Sequence, residues 1–238
     1  MRRVFLVSFL AFAAPACDCG GKKDAAATVP AAGAERLRET LALFPAENTG
    51  MVLNTHDLDG VFKNLGYHFD RFALIVGDPA EMHQRIVQDL GFDPTVAGGM
   101  EKAGIDSKGG MTLWVGASDS LASLKGFTLL KVSDEAKFLA AAERLAMALG
   151  SMDLAKPVEV HGGTWRAFSR KMGQRTLAEG GLFLKGTDAI LTSGDQASLD
   201  LLYASKGARL TTLAPLKKLK GQKPYSTFLY VNWNPSGR

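Results

Sequence analysis

Cysteine is almost missing from this chain. It has two cysteines among 238 residues, Cys17 and Cys19, and both lie within the first twenty positions. No disulfide framework can therefore hold together the part that follows, even in an oxidising compartment. Buried apolar side chains must stabilise the fold instead. A content of 46% hydrophobic and 22% charged residues is that of a globular protein long enough to form such a core.

The familiar signatures of phosphate, dinucleotide and hydrolase sites are absent as well. The sequence contains no P-loop, no G-x-G-x-x-G, no G-x-S-x-G and no H-E-x-x-H. Gly116–Ser120 comes nearest to a nucleophile elbow, but it lacks the glycine at the last position. These absences do not exclude an enzyme, because the members of a catalytic triad need not be close in sequence.

A strong excess of either charge is also missing. The formal net charge is +4, and it falls to +2 if Arg2 and Arg3 are removed with a leader. We therefore expect no nucleic-acid partner. The charge is unevenly spread, since residues 206–238 hold seven basic residues and no acidic one. We interpret this end as a solvated surface rather than a patch for anionic head groups, because its lysines are interleaved with leucine and glycine.

One apolar run stands at the start of the chain. Val4–Ala14 is eleven residues long, which is well short of the roughly 20 that a membrane-spanning helix needs. Arg2 and Arg3 precede it, and the small residues of Ala14–Ala16 end it. This order is typical of an export signal. We expect residues 1–16 to be removed.

The segment Ala14–Cys17 resembles the lipobox of bacterial lipoproteins, in which small residues precede a cysteine. The resemblance implies that Cys17 is the lipid attachment site. It would become the new N-terminus, carry acyl chains such as palmitate, and hold the domain in the periplasm on the inner or outer membrane. The segment departs from the family pattern at Ala14, where leucine is usual, and at Pro15. An ordinary A-x-A cleavage site, which would release a soluble exported protein, stays open as the alternative.

Two further features bear on the export route and the choice of membrane. Arg2–Leu6 resembles the twin-arginine export motif, but only Met1 precedes the two arginines, which favours general secretion. Asp18 is the residue that lipoproteins of enteric bacteria use to stay on the inner membrane. Because this rule varies between bacterial groups, the sequence leaves both membranes open.

Residues 17–34 are predicted to form a tether. Gly20–Ala34 consists mostly of small residues with one proline, and the next large apolar side chain is Leu37. A flexible coil of this length would hold a domain on the order of 20 Å from a membrane surface. We expect a single domain to follow it, over residues 35–238.

The remaining sequence predicts an α+β fold, in which an antiparallel or mixed sheet packs with helices. Asp78–Glu81 combines an N-cap aspartate, a proline at the first helical position and a capping-box glutamate, and Gly91 ends this helix. Ser133 is predicted to cap a second long helix that Gly150 ends. The patterns predict further helices at 37–44, 57–76, 93–104 and 195–205, and strands at 51–54, 111–115, 127–132, 165–169, 174–178, 182–185, 189–192 and 227–233.

Two parts of the sequence share the order strand, strand, helix. They cover residues 110–150 and 181–206, and each helix begins just after a serine, Ser133 or Ser193. This similarity of architecture suggests a duplicated unit. The strand predicted at Thr227–Trp233 needs a neighbour. It either closes the sheet or indicates that the chain is part of a longer protein.

The order of the predicted elements carries a second resemblance. The segments concerned are Phe44–Thr49, Gly104–Asp106, Lys131–Asp134 followed by Phe138 and Leu139, and Gly186–Leu191. They resemble an uncharacterised family of bacterial envelope proteins, known as a domain of unknown function. The resemblance implies the fold and an envelope address, and it implies no activity.

Polar residues are densest between the first predicted strand and the helix after it. The group consists of Asn54, His56, Asp57 and Asp59, with His68 and Asp70 further on. An imidazole and carboxylates could bind zinc, and His56 could act as a general base oriented by an aspartate. The same positions are where Asn, Thr and Asp commonly cap helices. We favour this structural interpretation.

The other residues with chemical potential are more scattered. His83 and His161 are isolated in sequence, and we interpret them as structural. The methionines do not have the M-x-x-M spacing of a copper carrier and are interpreted as core filler. Trp114, Trp165 and Trp233 lie on predicted strands, where we expect them to pack in the core or, if they share an exposed face, to bind a partner.

Together these observations predict a membrane-anchored lipoprotein of the cell envelope. Its α+β domain is expected to have a binding or structural role rather than an enzymatic one, with no cofactor and no metal. The expected partners are the membrane, through the lipid on Cys17, and an envelope protein. The alternative is an envelope hydrolase or a metal-binding protein that uses His56, Asp57 and Asp59.

Overall fold

A computed structural model describes residues 39–56, 58–76, 78–116, 125–150, 152–172, 175–204, 206–213 and 227–232. The predictions made for residues 1–34, which are the export signal, the tether and the lipid attachment at Cys17, lie outside these residues. Asp57 and Trp233 lie outside them too. Of the helices in the described part of the chain, none is long and apolar enough to cross a membrane.

The described residues form one sheet of nine strands, and every pair of neighbouring strands is antiparallel. The strand order is β4-β6-β7-β8-β3-β2-β1-β9, and β5 pairs with β6. The strands are β1 (Thr49–Thr55), β2 (Met111–Gly116), β3 (Gly126–Lys131), β4 (Asp153–Leu154), β5 (Val158–Val160), β6 (Gly163–Met172), β7 (Arg175–Lys185), β8 (Asp188–Thr192) and β9 (Thr227–Val231).

Helices pack with this sheet, which confirms the α+β fold. Within the described residues they are α1 (residues 39–43), α2 (Leu58–Val76), α3 (Pro79–Leu90), α4 (Gly99–Lys102), α5 (Glu135–Gly150) and α6 (Asp200–Tyr203). Short 3-10 turns cover Gln196–Leu199 and Leu210–Thr212.

One face of the sheet carries an aromatic core. Successive side chains of a strand point to opposite faces. On this face the rings of Trp114, Phe44 and Phe127 form a triangle, with centroid distances of 6.2 Å from Trp114 to Phe44, 5.4 Å from Trp114 to Phe127 and 6.4 Å from Phe44 to Phe127. Trp165 is buried on the same face, so the packing role predicted for these two tryptophans is confirmed. Helices α1 and α6 cover this core through Leu41 and Leu202, among others.

The opposite face carries a second core. Here Leu130, Leu182 and Ala189 from the central strands are buried under Leu58 of α2, Met100 of α4, and Phe138 and Ala142 of α5. Met111 is buried on this face as well, so it and Met100 fill core space as predicted, whereas Met147 of α5 is 55% exposed and does not. The sheet therefore separates these two cores, each closed by its own set of helices, and a smaller third cluster of Leu53, Leu113 and Val115 lies on β1 and β2.

The predicted ends of α3 are confirmed. Asp78 is the N-cap, and its Oδ1 accepts a hydrogen bond of 2.8 Å from the Ala80 N–H, with Pro79 at the first helical position. Gly91 ends the helix in the left-handed conformation, with φ of 81°. The cap of α5 differs from the prediction. The Oδ1 of Asp134 accepts a hydrogen bond from the Lys137 N–H, so the cap is Asp134 and not Ser133.

Several strands and helices differ from the predicted pattern. The strands predicted at 174–178 and 182–185 are one strand, β7, and the short strands β4 and β5 had no counterpart. The helix predicted to open at Asp93 is instead a turn, and α4 starts only at Gly99. The helix predicted at 195–205 divides into a 3-10 turn and the single turn α6.

The suggested duplication is visible in the order of strands. Hairpin β2-β3 is followed by α5, hairpin β7-β8 is followed by α6, and β3 pairs with β8 at the centre of the sheet. However, α5 packs on the second core and α6 on the aromatic core. The two units therefore share their order of elements, but their helices lie on opposite faces. The strand at the C-terminal end, β9, pairs with β1.

Candidate functional site

A small cavity lies where β1 ends, and two of the candidate residues line it. Asn54 and His56 share this cavity with Thr40, Gly109, Gly110, Met111, Thr112, Leu129, Leu130 and Lys131. Its free volume is about 10 Å³, which is room for a single water molecule. The cavity can hold a small polar molecule and cannot hold an organic substrate without rearrangement.

Asn54 and Thr112 are buried polar residues of this cavity. The exposed fraction of Asn54 is 3%, and its Nδ2 donates a hydrogen bond of 2.5 Å to Oγ1 of Thr112, the residue directly opposite on β2. Its Oδ1 is buried and has no hydrogen-bond partner among the described residues. An unsatisfied oxygen of this kind costs about 1–3 kcal/mol, so the site favours a water or another donor beside Asn54.

Gly110 forms the wall of the cavity next to His56. Its φ is 77°, and a Cβ built on it would lie 2.5 Å from the backbone oxygen of Thr55 and 3.5 Å from Nδ1 of His56. Only glycine allows the start of β2 to approach the end of β1 this closely. The geometry around His56 therefore depends on the glycine as much as on the polar residues.

Asp59 belongs to a different cluster. It lies in the first turn of α2, where its Oδ2 accepts a hydrogen bond of 3.0 Å from the hydroxyl of Ser107. The buried Ser107 hydroxyl also contacts Glu101, and this hydrogen bond lowers the pKa of Glu101. A hydroxyl has one hydrogen to donate, so the two carboxylates share it. Asp59 is thus a structural partner of Ser107.

The remaining members of the predicted group lie along α2. His68 is exposed and packs edge-on against Tyr67, with ring centroids 5.5 Å apart. Asp70 reaches α3 and bonds to His83. The structure thus places Asn54 and His56 at the cavity, Asp59 beside Ser107, and Asp70 between α2 and α3. In the described residues no three His, Cys, Asp or Glu side chains are placed to hold a metal ion.

His83 is isolated in the sequence but has close partners in the structure, as its structural interpretation requires. Its Nε2 lies 2.7 Å from Oδ1 of Asp70 on α2, and its Nδ1 lies 2.5 Å from Oδ2 of Asp93 in the turn after α3. Asp93 is nearly buried, with 6% of its side chain exposed, whereas half of Asp70 is exposed. The N–H and the hydroxyl of Thr95 both donate to Oδ1 of Asp93. This group, here called the His83 cluster, joins α2, α3 and the following turn.

The charges of the His83 cluster shift two pKa values in opposite directions. The hydrogen bond to Asp70 raises the pKa of His83; partial burial opposes it, and the bond and charge of Asp93 reinforce it. For Asp93, burial raises the pKa, but the hydrogen bonds from Thr95 and His83 outweigh it, and the net pKa is lowered. Both shifts favour an imidazolium between two carboxylates.

His161 has close partners in the structure as well. It occupies the turn between β5 and β6 with a φ of 49°, a conformation unusual for a residue other than glycine. Its Nε2 lies 2.8 Å from Oδ1 of Asp200, its ring stacks on Tyr203, and its carbonyl accepts a hydrogen bond from Lys185. Burial, with the nearby charge of Asp188, raises the pKa of Tyr203 to about 12. These contacts tie the β5-β6 turn to α6.

Three of these groups have one structural feature in common. At each of them the polar side chains bridge two elements: Asn54 joins β1 to β2, His83 joins α3 to its neighbours, and His161 joins the β5-β6 turn to α6. The hydrolase and metal-binding alternative at His56 stays a prediction. Comparisons with protein-family models, with curated proteins and with solved structures find no match to this chain, so both family resemblances also stay predictions.

Proposed function

We propose that this chain is a membrane-anchored lipoprotein of the cell envelope whose α+β domain has a binding or structural role. The observation that carries the proposal is the order of the N-terminal sequence: two arginines, an apolar run of eleven residues, then Ala14–Cys17. Each step of export and lipidation needs one of these parts. The envelope protein partner and the position of the domain in the periplasm belong to the same proposal.

The physical basis of the anchor is the burial of two acyl chains. Each buried CH₂ contributes about 0.8 kcal/mol, and a single chain gives only marginal membrane binding. A doubly acylated Cys17 would hold the protein stably on the membrane. Residues 18–34 would then supply the distance between the lipid and the domain.

A binding or structural role is supported by how the folded domain uses its polar side chains. Asp59 bonds to Ser107, His83 to two aspartates and His161 to Asp200, and each of these contacts ties separate elements together. Residues employed in this way maintain the shape of a surface. A fixed surface is what a binding protein presents to its partner.

The anchor is tested by comparing Cys17→Ser with the matched variant Cys19→Ser in the producing cells. Membranes are separated from the soluble fraction, and the N-terminal peptide is weighed by mass spectrometry. We expect the wild type and Cys19→Ser to stay with the membrane and to carry the mass of acyl chains at Cys17. Cys17→Ser should lose that mass and leave the membrane fraction.

The anchor would be contradicted by a wild-type protein without acyl chains. A wild-type N-terminal peptide that begins after residue 16 without acyl chains would identify an ordinary exported protein and overturn the anchor. Gentle extraction of the wild type, followed by native mass spectrometry, then tests for an envelope partner. A chain that is always alone under these conditions contradicts the binding role.

A further inference from the structure

Helix α3 is attached to the domain in an unusual way. None of its twelve residues is buried, although it packs between α2 and α5. Val87 remains 44% exposed, and Met147 of the neighbouring α5 is 55% exposed. The apolar contacts of α3 are therefore partial. A larger share of its attachment must come from the polar contacts that it makes.

Those polar contacts converge on His83. The imidazole bonds through Nε2 to Asp70 of α2 and through Nδ1 to Asp93 of the turn after α3. Carboxylates accept hydrogen bonds, and a neutral imidazole has one N–H and therefore one hydrogen to donate. Both bonds are satisfied together only when both ring nitrogens carry hydrogen, that is, when His83 is an imidazolium.

We propose that His83 is a pH-dependent latch, which fastens α3 to α2 and to the turn after α3 while it is protonated and loosens α3 when it loses its proton. Loss of the proton leaves one ring nitrogen with a lone pair facing a carboxylate. That contact is repulsive whichever nitrogen keeps the hydrogen, because the neutral ring can donate to only one of Asp70 and Asp93 and the other carboxylate loses its donor.

The surrounding charges are consistent with this behaviour. From α2 the latch faces Asp70, and from the turn it faces Asp93, whose other oxygen is held by Thr95. From α5, Glu143 and Arg144 flank the C-terminal half of α3, at the groove that Gln88 and Asp89 also line. His83 lies in the N-terminal half of the helix, next to the two aspartates.

Helix α3 is fastened only in an intermediate range of pH, and it loosens both above and below that range. Because the pKa of His83 is raised in the folded protein, its contribution is complete at low pH and is lost as the pH rises through that raised value. Because the pKa of Asp93 is lowered, its contribution is lost as the pH falls through that lowered value. Between the two pKa values α3 is fastened.

The test uses the full chain, labelled with ¹⁵N in its histidines and held in detergent micelles. Two-bond ¹H–¹⁵N correlation spectra report the protonation of each imidazole as the pH is raised. Free histidine in the same buffer is the reference. We expect His83 to keep the signature of an imidazolium to a higher pH than free histidine does. A His83 that titrates together with free histidine overturns the proposal.

Hydrogen exchange of the α3 amides measures the consequence for the helix. We expect their protection factors, corrected for the intrinsic effect of pH, to fall about tenfold as His83 loses its proton, while those of α5 stay constant. His83→Gln should abolish this pH dependence, and the matched variant His68→Gln should retain it. If His83→Gln fails to fold, the test uses the wild-type protein alone. Protection factors of α3 that stay constant while His83 loses its proton contradict the latch.

Discussion

At the scale of single residues, a chain of buried hydrogen bonds connects three segments around the aromatic core. The indole Nε1 of Trp114 donates to Oγ1 of Thr49 at 2.8 Å, and the Thr49 hydroxyl donates to the carbonyl of Pro45 at 2.7 Å. Both Trp114 and Thr49 are almost fully buried. The hydroxyl of Thr49 thus satisfies two groups that water cannot reach.

Thr49→Val tests this chain, because valine keeps the shape of threonine and removes the hydroxyl. The indole N–H and the Pro45 carbonyl would both lose their partner, so we expect the free energy of unfolding to fall by about 1–3 kcal/mol. Thr212→Val is the control. Its hydroxyl also donates to a carbonyl, that of Arg209, but it is exposed, and the expected loss is below about 0.5 kcal/mol. Urea unfolding followed by circular dichroism measures both, and equal losses would contradict the argument.

The partners of His83 and His161 differ in how far the sequence could predict them. Asp70 and His83 are thirteen residues apart, but α2 and α3 are separated only by residues 77 and 78, so the two side chains lie on either side of a helix-helix turn. That proximity could have been inferred from the helix bounds. The contact with Asp93 could not, because a helix was predicted to begin at Asp93, where the structure has a turn. His161 and Asp200 are brought together only by the tertiary fold.

At the scale of elements, glycines decide how closely two segments approach. Gly98 and Gly110 both have a positive φ, of 71° and 77°, yet their surroundings differ. A Cβ on Gly98 would meet nothing within 4 Å, whereas a Cβ on Gly110 would lie 2.5 Å from the backbone oxygen of Thr55. Backbone atoms of a paired strand cannot move aside as a flexible side chain can.

Gly110→Ala and Gly98→Ala therefore form a matched pair. Both variants place alanine in the left-handed region, which costs roughly 1–2 kcal/mol, and this is the whole loss of unfolding free energy expected for Gly98→Ala. Gly110→Ala must also push β2 away from β1, and we expect a loss of about 3 kcal/mol or more. Chemical unfolding of the two proteins under the same conditions compares them. Similar losses of unfolding free energy in the two variants would show that β1 and β2 can move apart at little cost.

The elements also show which sequence signals are reliable. Asp78, Pro79 and Gly91 predicted both ends of α3, because caps act through atoms within a few residues of one another. Two strands are predicted at 174–178 and 182–185, but β7 continues through the glycines at 180 and 181 that lie between them. Ala167 pairs with Gly181 while Ser169 pairs with Ala178, so β7 has one extra residue there. Gly180, with φ of 125°, forms a bulge rather than a turn.

At the scale of the whole molecule, the same strands contribute side chains to the aromatic core and to the second core. Residues of β3 and β8 alternate between them, with Phe127 and Ile190 in the aromatic core and Leu130 and Ala189 in the second core. Neither core can lose its packing without disturbing the strands that the other core needs. The described domain should therefore unfold as one cooperative unit.

Phe138→Ala on α5 tests this coupling from the second face. Phe138 is buried in the second core, and its truncation should lower the free energy of unfolding by about 3–5 kcal/mol. Lys137→Ala, which removes an exposed neighbour on the same helix, should change it by less than about 0.5 kcal/mol.

Tryptophan fluorescence reports the unfolding of the aromatic core, since Trp114 and Trp165 both lie in it, on the other face of the sheet from Phe138. If the sheet couples the two cores, the unfolding midpoint of Phe138→Ala must shift equally in fluorescence and in far-ultraviolet circular dichroism. A circular dichroism transition that moves while the fluorescence transition stays in place would reveal two layers that unfold separately. In that case the sheet would be a boundary between the cores, and the surface formed by α3 and α5 could rearrange while the aromatic core remained folded.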